Sequence, residues 1–396
     1  MTTQNHRLHA LDALRGHMML LGIVLHAGLC YGTGDVGPIW VFRDSQEAPA
    51  IGTLVGLIGL FRMPVFFIVS GFFFQMLLER KGSLPTAKDR LSRIVPPFLL
   101  FLPITIALSS AATWWAIENL GVDANIMADG AWFQPHHLWF LYYLSFYYVL
   151  ILAVHRLLTF TRLSFHWLAK IPFTAGALLF GGLLGGLTQM LAPFVMEPML
   201  DFTLQIRQFF YFLLFFICGQ WIYLKKHTLH ELPQKVWWLL LMVIVLAGSG
   251  AASISFHDRD LETISFLETA ALGSAMFSLC FLFFAAYLRW GSKASPMSFY
   301  ISKSSYWVYL VHLPLVMGVF ILLNGFDLSP YIKFTLNVII TTALCMLSYR
   351  YFVHNKWMSR FLEGRAWGEV LPRTHTTAQQ KHIGESGHRK AGVDSY

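Results

Sequence analysis

The chain has 396 residues, 56% of them hydrophobic and 13% charged, with a mean hydropathy of +0.55; a soluble domain carries about 25% charged residues. With 35 Phe, 15 Met and 13 Trp it holds more apolar surface than a globular core of this size would hide, which excludes a soluble enzyme and a disordered chain. The net charge of +8 would suit nucleic acid, but the basic residues sit in short stretches between apolar runs, where they set orientation in a lipid bilayer; no nucleic-acid partner is expected.

A bilayer is crossed by about 20 mostly apolar residues. On that criterion the sequence predicts about ten transmembrane helices, at roughly 11–31, 53–78, 94–116, 136–155, 174–196, 207–224, 236–254, 264–288, 304–324 and 330–353. The expected fold class is an all-α polytopic membrane protein, with residues 1–363 as the transmembrane domain. Residues 364–396 are too polar to fold alone and are expected to form a disordered cytoplasmic tail. The first run is too long for a signal-peptide core and lacks a small-residue cleavage site, so the N-terminus is expected to stay cytoplasmic. Ten crossings put 14 Lys and Arg, from Arg80 to Lys303, on the inner side against Arg43 and Arg259 outside. An odd number would scramble that asymmetry, so both termini are expected in the cytoplasm. No internal repeat is visible, which disfavours a transporter built from inverted halves.

Ionisable residues inside a span are costly and are functional candidates by default. In the first span Arg15 and His26 are eleven residues apart, hence about 20° apart around a helix and roughly 16 Å apart along it. Asp12 precedes Arg15 by three residues, a spacing that pairs the two side chains. Interfacial snorkelling accounts for Asp12 and Arg15 singly, and helix packing for His26; the aligned set points to function. The second span carries Arg62 two residues before Pro64, where the helix is expected to bend, and an arginine among Phe and Met needs an anion, a carboxylate or water. Ser70–Gly71, near its middle, also reads as a close-packing site. Arg90 and Arg93 fall at the start of the third span and suit phosphate groups, although orientation charge explains them equally.

The fourth span opens on Pro135, His136, His137 and Trp139. Aromatic rings at that depth, including Trp40, Trp114, Trp115 and Trp132, form an interfacial belt or stack on sugars in a cleft. In the ninth span Tyr306, Tyr309 and His312 recur every three residues along one side of a helix, and His312 is placed to share a cavity with His26. The four cysteines, Cys30, Cys218, Cys280 and Cys345, lie in apolar segments with no CxxC pair and no ligand spacing. They read as packing residues, and neither a disulfide nor a metal is expected.

Five ordered segments resemble acyltransferase family 3, the polytopic bacterial acyltransferases: Arg15 with His26; Phe61-Arg62-Met63-Pro64 through Ser70-Gly71-Phe72; Arg90 with Arg93; His137-Leu138-Trp139-Phe140-Leu141; and Lys303 through Ser305-Tyr306, Tyr309-Leu310 and His312-Leu313-Pro314. The resemblance spans residues from about 8 to 355. Two departures stand out: Ser302 replaces the glycine usual before the lysine of the last segment, and no esterase-like domain follows the last span.

The resemblance implies an O-acyltransferase of the bacterial inner membrane, taking its acyl group from cytoplasmic acyl-CoA as a co-substrate, with no permanently bound cofactor. In the branch most similar in these motifs the acyl group is succinyl, hence succinyl-CoA, and the acceptor a periplasmic glucan or other polysaccharide. It implies His26 as catalytic base or nucleophile, Arg15 with Asp12 on the donor side, and Arg90 and Arg93 near the CoA phosphates. Arg62 is assigned the distal carboxylate of a succinyl group. Ser70, His137, Trp139, Tyr306, Tyr309 and His312 are the candidate substrate-binding residues. A transporter or flippase for a glycoconjugate is the alternative, with the histidines as a substrate path; a non-catalytic scaffold leaves the aligned Arg15 and His26 unexplained.

Overall fold

The computed structural model describes residues 3–33, 40–125, 133–161, 170–172, 202–227, 229–257, 266–291, 295–354 and 357–363. They form ten α-helices: α1 (Thr3–Tyr31), α2 (Pro49–Lys81), α3 (Ser83–Leu120), α4 (Trp139–Thr161), α5 (Ile206–Leu224), α6 (Val236–His257), α7 (Phe266–Trp290), α8 (Pro296–Asn324), α9 (Pro330–Ser348) and α10 (Trp357–Glu363). Short 3-10 turns at His136–Leu138 and Leu229–Lys235 precede α4 and α6, and a π turn, Tyr349–Val353, follows α9.

Local chemistry sets the helix ends. Proline opens α2, α8 and α9, where its missing N–H costs nothing and its fixed φ suits a helix. Ser295 also caps α8, its hydroxyl accepting the Ser298 N–H at 3.0 Å. Gly121 closes α3 in the left-handed region, φ 69°. Gly82, φ 78°, is the single residue between α2 and α3. The basic stretch between the second and third apolar runs is therefore helical, and Arg90 and Arg93 lie inside α3 rather than at its start. Pro85 falls in the first turn of α3, where proline is tolerated, so nothing halts the helix before Gly82. The helix α2 likewise runs on through Pro64.

Among the described residues seven helices are long and apolar enough to cross a membrane: α1, α2, α3, α4 with its 3-10 turn, α7, α8, and α9 with its π turn. The protein is an all-α, multi-pass membrane protein. The expected spans 207–224 and 236–254 coincide with α5 and α6. The expected span 174–196 and the tail 364–396 lie outside the described residues.

Two close helix contacts organise the bundle. Along α2 and α5, a Cβ on Gly71 would collide with the carbonyl oxygen of Phe216, and one on Gly219 with that of Ile68, so the two backbones touch and Gly71 is a packing glycine. Around this contact Phe67 meets Phe140, Tyr147 and Phe212, and Phe74 stacks on Tyr148 at 5.0 Å. Along α1 and α8, a Cβ on Gly16 would lie 3.0 Å from Ile301 and 3.2 Å from the Ser302 backbone. Arg15 reaches Ser302, and His26, eleven residues on, meets His312, ten residues on. The two helices therefore run in the same direction, and residues of matching register form two clusters at different depths.

The α2–α5 contact gives a stability prediction. Gly71→Ala and Gly219→Ala force backbone apart and are expected to cost about 1–3 kcal/mol each, read as a lower unfolding temperature in detergent. Gly56→Ala and Gly318→Ala meet no atom within 4 Å and are expected to be neutral or stabilising by up to about 1 kcal/mol.

Candidate active site

Three imidazoles from three elements converge inside the bundle. His26 on α1 and His312 on α8 have ring centroids 5.2 Å apart, and His137, on the 3-10 turn before α4, lies 4.9 Å from His312. The groups acting electrostatically on His26 are His312, Arg62 and His137. Arg62 reaches the cluster from α2, its guanidinium packed against Gly22, one helical turn before His26; a side chain on Gly22 would occupy that space. Tyr309 completes the wall: its ring lies 5.3 Å from that of His137, and its hydroxyl donates to the His137 carbonyl at 2.6 Å. The turn carrying His137 is strained, since His136 sits at φ 45°, a region that side-chain-bearing residues rarely adopt.

Several polar atoms of this cluster are left without partners. His26 Nδ1, His312 Nε2, both nitrogens of His137, Arg62 Nε and Trp40 Nε1 are buried and form no hydrogen bond among the described residues. Arg62 has no acidic partner there either, only the ring of Phe66 at 5.9 Å. Buried polar groups are nearly always satisfied, so this concentration makes the cluster the candidate site. Among the described residues no group of three or more His, Cys, Asp or Glu is arranged to hold a metal ion, and the four cysteines are free and buried.

A loop closes this end. Residues 40–48 fold back on α1, with the Asp44 N–H donating to the Cys30 carbonyl and the Ala48 N–H to that of Tyr31, each at 2.9 Å. Lys333 of α9 then pairs with Asp44 at 2.7 Å, the two side chains only 6% and 1% exposed. The clamp places Trp40 against His26, centroids 5.8 Å apart.

The second cluster is cationic. Arg15 pairs with Asp12 at 3.4 Å and donates to the Ser302 hydroxyl at 3.2 Å. Ser302 thus supplies an acceptor to the arginine that a glycine side chain would lack. Arg90 lies within electrostatic reach of Arg15 and Arg93, and its Nε is buried without a partner. Asp89 pairs with Arg93 at 3.3 Å and Lys81 at 3.5 Å. The Tyr306 hydroxyl donates to the Arg93 carbonyl at 2.9 Å, placing Tyr306 at this end rather than with His26. Ser70 and Trp139 belong to neither cluster. Ser70 is eight residues, about 12 Å, along α2 from Arg62, beside the packing Gly71, and Trp139 lies among Phe67, Tyr143 and Phe212.

Comparison with known proteins gives the family. The family described as "Acyltransferase domain", acyltransferase family 3, matches residues 8–350. The chain belongs to this family. The acyltransferase is 25% identical over 362 residues to "Glucans biosynthesis protein C" of Escherichia coli O17:K52:H18, covering 87% of this chain and 91% of the relative. It is 24% identical over the same length to the protein of that name from Escherichia coli strain K12, with the same coverage. No solved structure gives a significant match to the acyltransferase.

Sequence reasoning on the acyltransferase did not find Gly22, the strained His136, or the Asp44–Lys333 clamp. A lysine four residues into an apolar run was the available signal for the clamp. Lys333→Met is expected to destabilise the protein by about 3–5 kcal/mol, because it strands a buried carboxylate. The double change Asp44→Leu with Lys333→Met is expected to recover most of that loss, and thermal unfolding of both proteins checks the pair.

Proposed function

We propose that the protein is an inner-membrane O-acyltransferase that moves a succinyl group from cytoplasmic succinyl-CoA to hydroxyls of a periplasmic glucan. The observation that carries this reading is the division of the site along α1 and α8 into a cationic cluster at one end and unpartnered imidazoles at the other. Acyl-CoA is a polyanion that cannot cross a bilayer, and a periplasmic glucan cannot enter the cell. A site serving both needs a basic mouth for the nucleotide and a buried reaction centre reached from the opposite side. The acceptor class is taken from the name of the Escherichia coli relatives. On this reading both termini face the cytoplasm, because the Arg15 end of α1 and α8 is the donor side.

Arg15, Arg90 and Arg93 hold the CoA phosphates, where guanidinium forks suit phosphate oxygens. The thioester extends into the bundle toward His26. A glucan hydroxyl attacks the thioester carbonyl while His26 takes its proton. The tetrahedral intermediate collapses with expulsion of the CoA sulfur, which recovers the proton from the imidazolium. The apolar wall of Phe66, Tyr309 and Trp40 keeps water from competing as acceptor. Arg62, a buried cation with no carboxylate of its own, binds the distal carboxylate of the succinyl group.

Purified protein with glucan and succinyl-CoA is expected to release CoA in step with glucan acylation, and more slowly with acetyl-CoA. His26→Ala is expected to reduce that rate by about 100-fold or more while the protein still inserts in the membrane. Wild-type protein that releases no CoA from either donor would instead fit transport of a glycoconjugate. Arg62→Lys is expected to erode the preference for succinyl-CoA, since an ammonium cannot reproduce the bidentate fork. An unchanged donor preference removes Arg62 from carboxylate binding.

A further inference from the structure

The hydrogen bonds of His312 fix which of its nitrogens carries hydrogen. Its Nδ1 lies 3.0 Å from the Val308 carbonyl and 2.9 Å from the Tyr309 carbonyl. Facing two acceptors, Nδ1 must be the N–H donor, which leaves Nε2 of the neutral ring with a lone pair. That Nε2 is buried and has no partner. Beside it, at a centroid distance of 5.2 Å, is His26. In a five-membered ring each nitrogen lies about 1.1 Å from the centroid, so rings at this separation need only a rotation that turns the two nitrogens toward each other to come within hydrogen-bond reach; the structure leaves both unpartnered, and catalytic hydrogen bonds commonly tighten only when substrate is bound.

The two nitrogens of His26 are not equivalent. Nδ1 is enclosed and unpartnered, whereas Nε2 is not enclosed in that way, and the residue as a whole keeps partial access to solvent. His137 also neighbours His312, but both of its nitrogens are enclosed. His26 alone of the two has one nitrogen turned inward and one left for a substrate.

We propose that His312 is a positioning residue for His26: its Nε2 accepts the His26 Nδ1–H, and this fixes His26 in the form whose Nε2 lone pair faces the incoming hydroxyl. The inference rests on the acyl-transfer reading of the site. The bookkeeping is closed within the pair. The substrate hydroxyl gives its proton to His26 Nε2, the Nδ1–H stays on His26 and strengthens its bond to His312 as positive charge develops, and the Nε2 proton passes to the departing CoA sulfur. His312 keeps its own hydrogen throughout, since Nδ1–H stays on the two carbonyls. It is a neutral counterpart of the carboxylate that orients a catalytic histidine in hydrolases.

Two amides separate this role from a packing role. Glutamine places its side-chain oxygen near the Nε2 position of histidine, while asparagine places its amide near Nδ1. If His312 orients His26, His312→Gln retains function and His312→Asn loses it; if the ring serves only to bond the Val308 and Tyr309 carbonyls, the order reverses. The first readout is the rate at which diethyl pyrocarbonate modifies His26 in the purified full-length protein, followed by mass spectrometry of the peptide, with His26→Ala as the blank. This reagent needs an imidazole lone pair and no acyl acceptor, so the result does not depend on glucan being the substrate.

The expected outcome is near wild-type modification in His312→Gln and a loss of about tenfold or more in His312→Asn and His312→Leu. In steady-state assays kcat falls in the same order, and KM for acyl-CoA and for glucan stays unchanged. Asparagine outperforming glutamine, or equal rates in all three variants, overturns the proposal. Wild-type protein that releases no CoA with glucan defeats the acyl-transfer reading, and the reagent rates alone then decide this one.

Discussion

An imidazole or guanidinium in the interior of an apolar bundle must find a partner or be held there at a cost of about 1–3 kcal/mol for each unmade hydrogen bond. The rest of the structure depends on meeting that cost. His26, His137, His312 and Arg62 come from four separate elements, and for each at least one polar atom of the side chain is left out of the contacts that hold it. Gly22 leaves room for the guanidinium, the Tyr309 hydroxyl grips the His137 carbonyl, and helix α8 carries Tyr309 and His312 on adjoining turns. The glycine-mediated contacts of α1 with α8 and of α2 with α5 bring the four helices close enough for this. Polar heads left unpaired by so much surrounding order are available to a substrate without reorganisation.

The parallel run of α1 and α8 gives the site its two ends. One pair of helices carries Arg15 and Ser302 at the first depth, then His26 and His312 about three turns further on. The cationic end is partly exposed, with Arg15 paired to Asp12 and Arg93 to Asp89, as suits the mouth for a polyanionic donor that the proposed function requires. The imidazole end is enclosed, which suits a step that water would spoil. Chemistry divided between two ends of the same helices also explains why Tyr306 and Tyr309, three residues apart, serve different clusters.

Local periodicity made part of this legible in the sequence. Arg15 and His26 share a face because eleven residues close almost three full turns, and Tyr309 with His312 follows the same logic. Most of the apolar runs became helices because their length and hydrophobicity admit little else in a membrane. Four things were not legible. Residues 26 and 312 are 286 apart in the chain, and no periodicity reports which helices become neighbours. Trp40 and Trp139 look alike in sequence, yet one is folded against His26 by a clamped loop and the other joins the aromatic core. Helix α3 begins well before the apolar stretch because a helix stops at a backbone that cannot continue, here Gly82, and not where hydrophobicity ends. The pairing of Ser302 with Arg15 likewise needed coordinates, since the sequence shows only that a glycine had been exchanged.

Two buried cations in the same bundle serve as each other's control. Lys333 is enclosed and carries its own carboxylate, Asp44, delivered by a loop that folds back for the purpose. Arg62 is equally enclosed and has neither a carboxylate nor an acceptor among the described residues, although the fold plainly can bring an acid to a buried base. The difference follows from position. Lys333 joins a loop to a helix, where an internal partner fixes the geometry permanently, whereas Arg62 stands beside three imidazoles that each keep an unpartnered nitrogen, and on the proposed reading an internal carboxylate there would occupy the space and cancel the charge offered to an anionic acyl group. A guanidinium is suited to that second setting because it stays protonated without a partner and presents a planar fork to whichever oxygens arrive. On the proposed reading the missing acid beside Arg62 belongs to the binding site, in the same sense as the unpartnered nitrogens of the histidines around it.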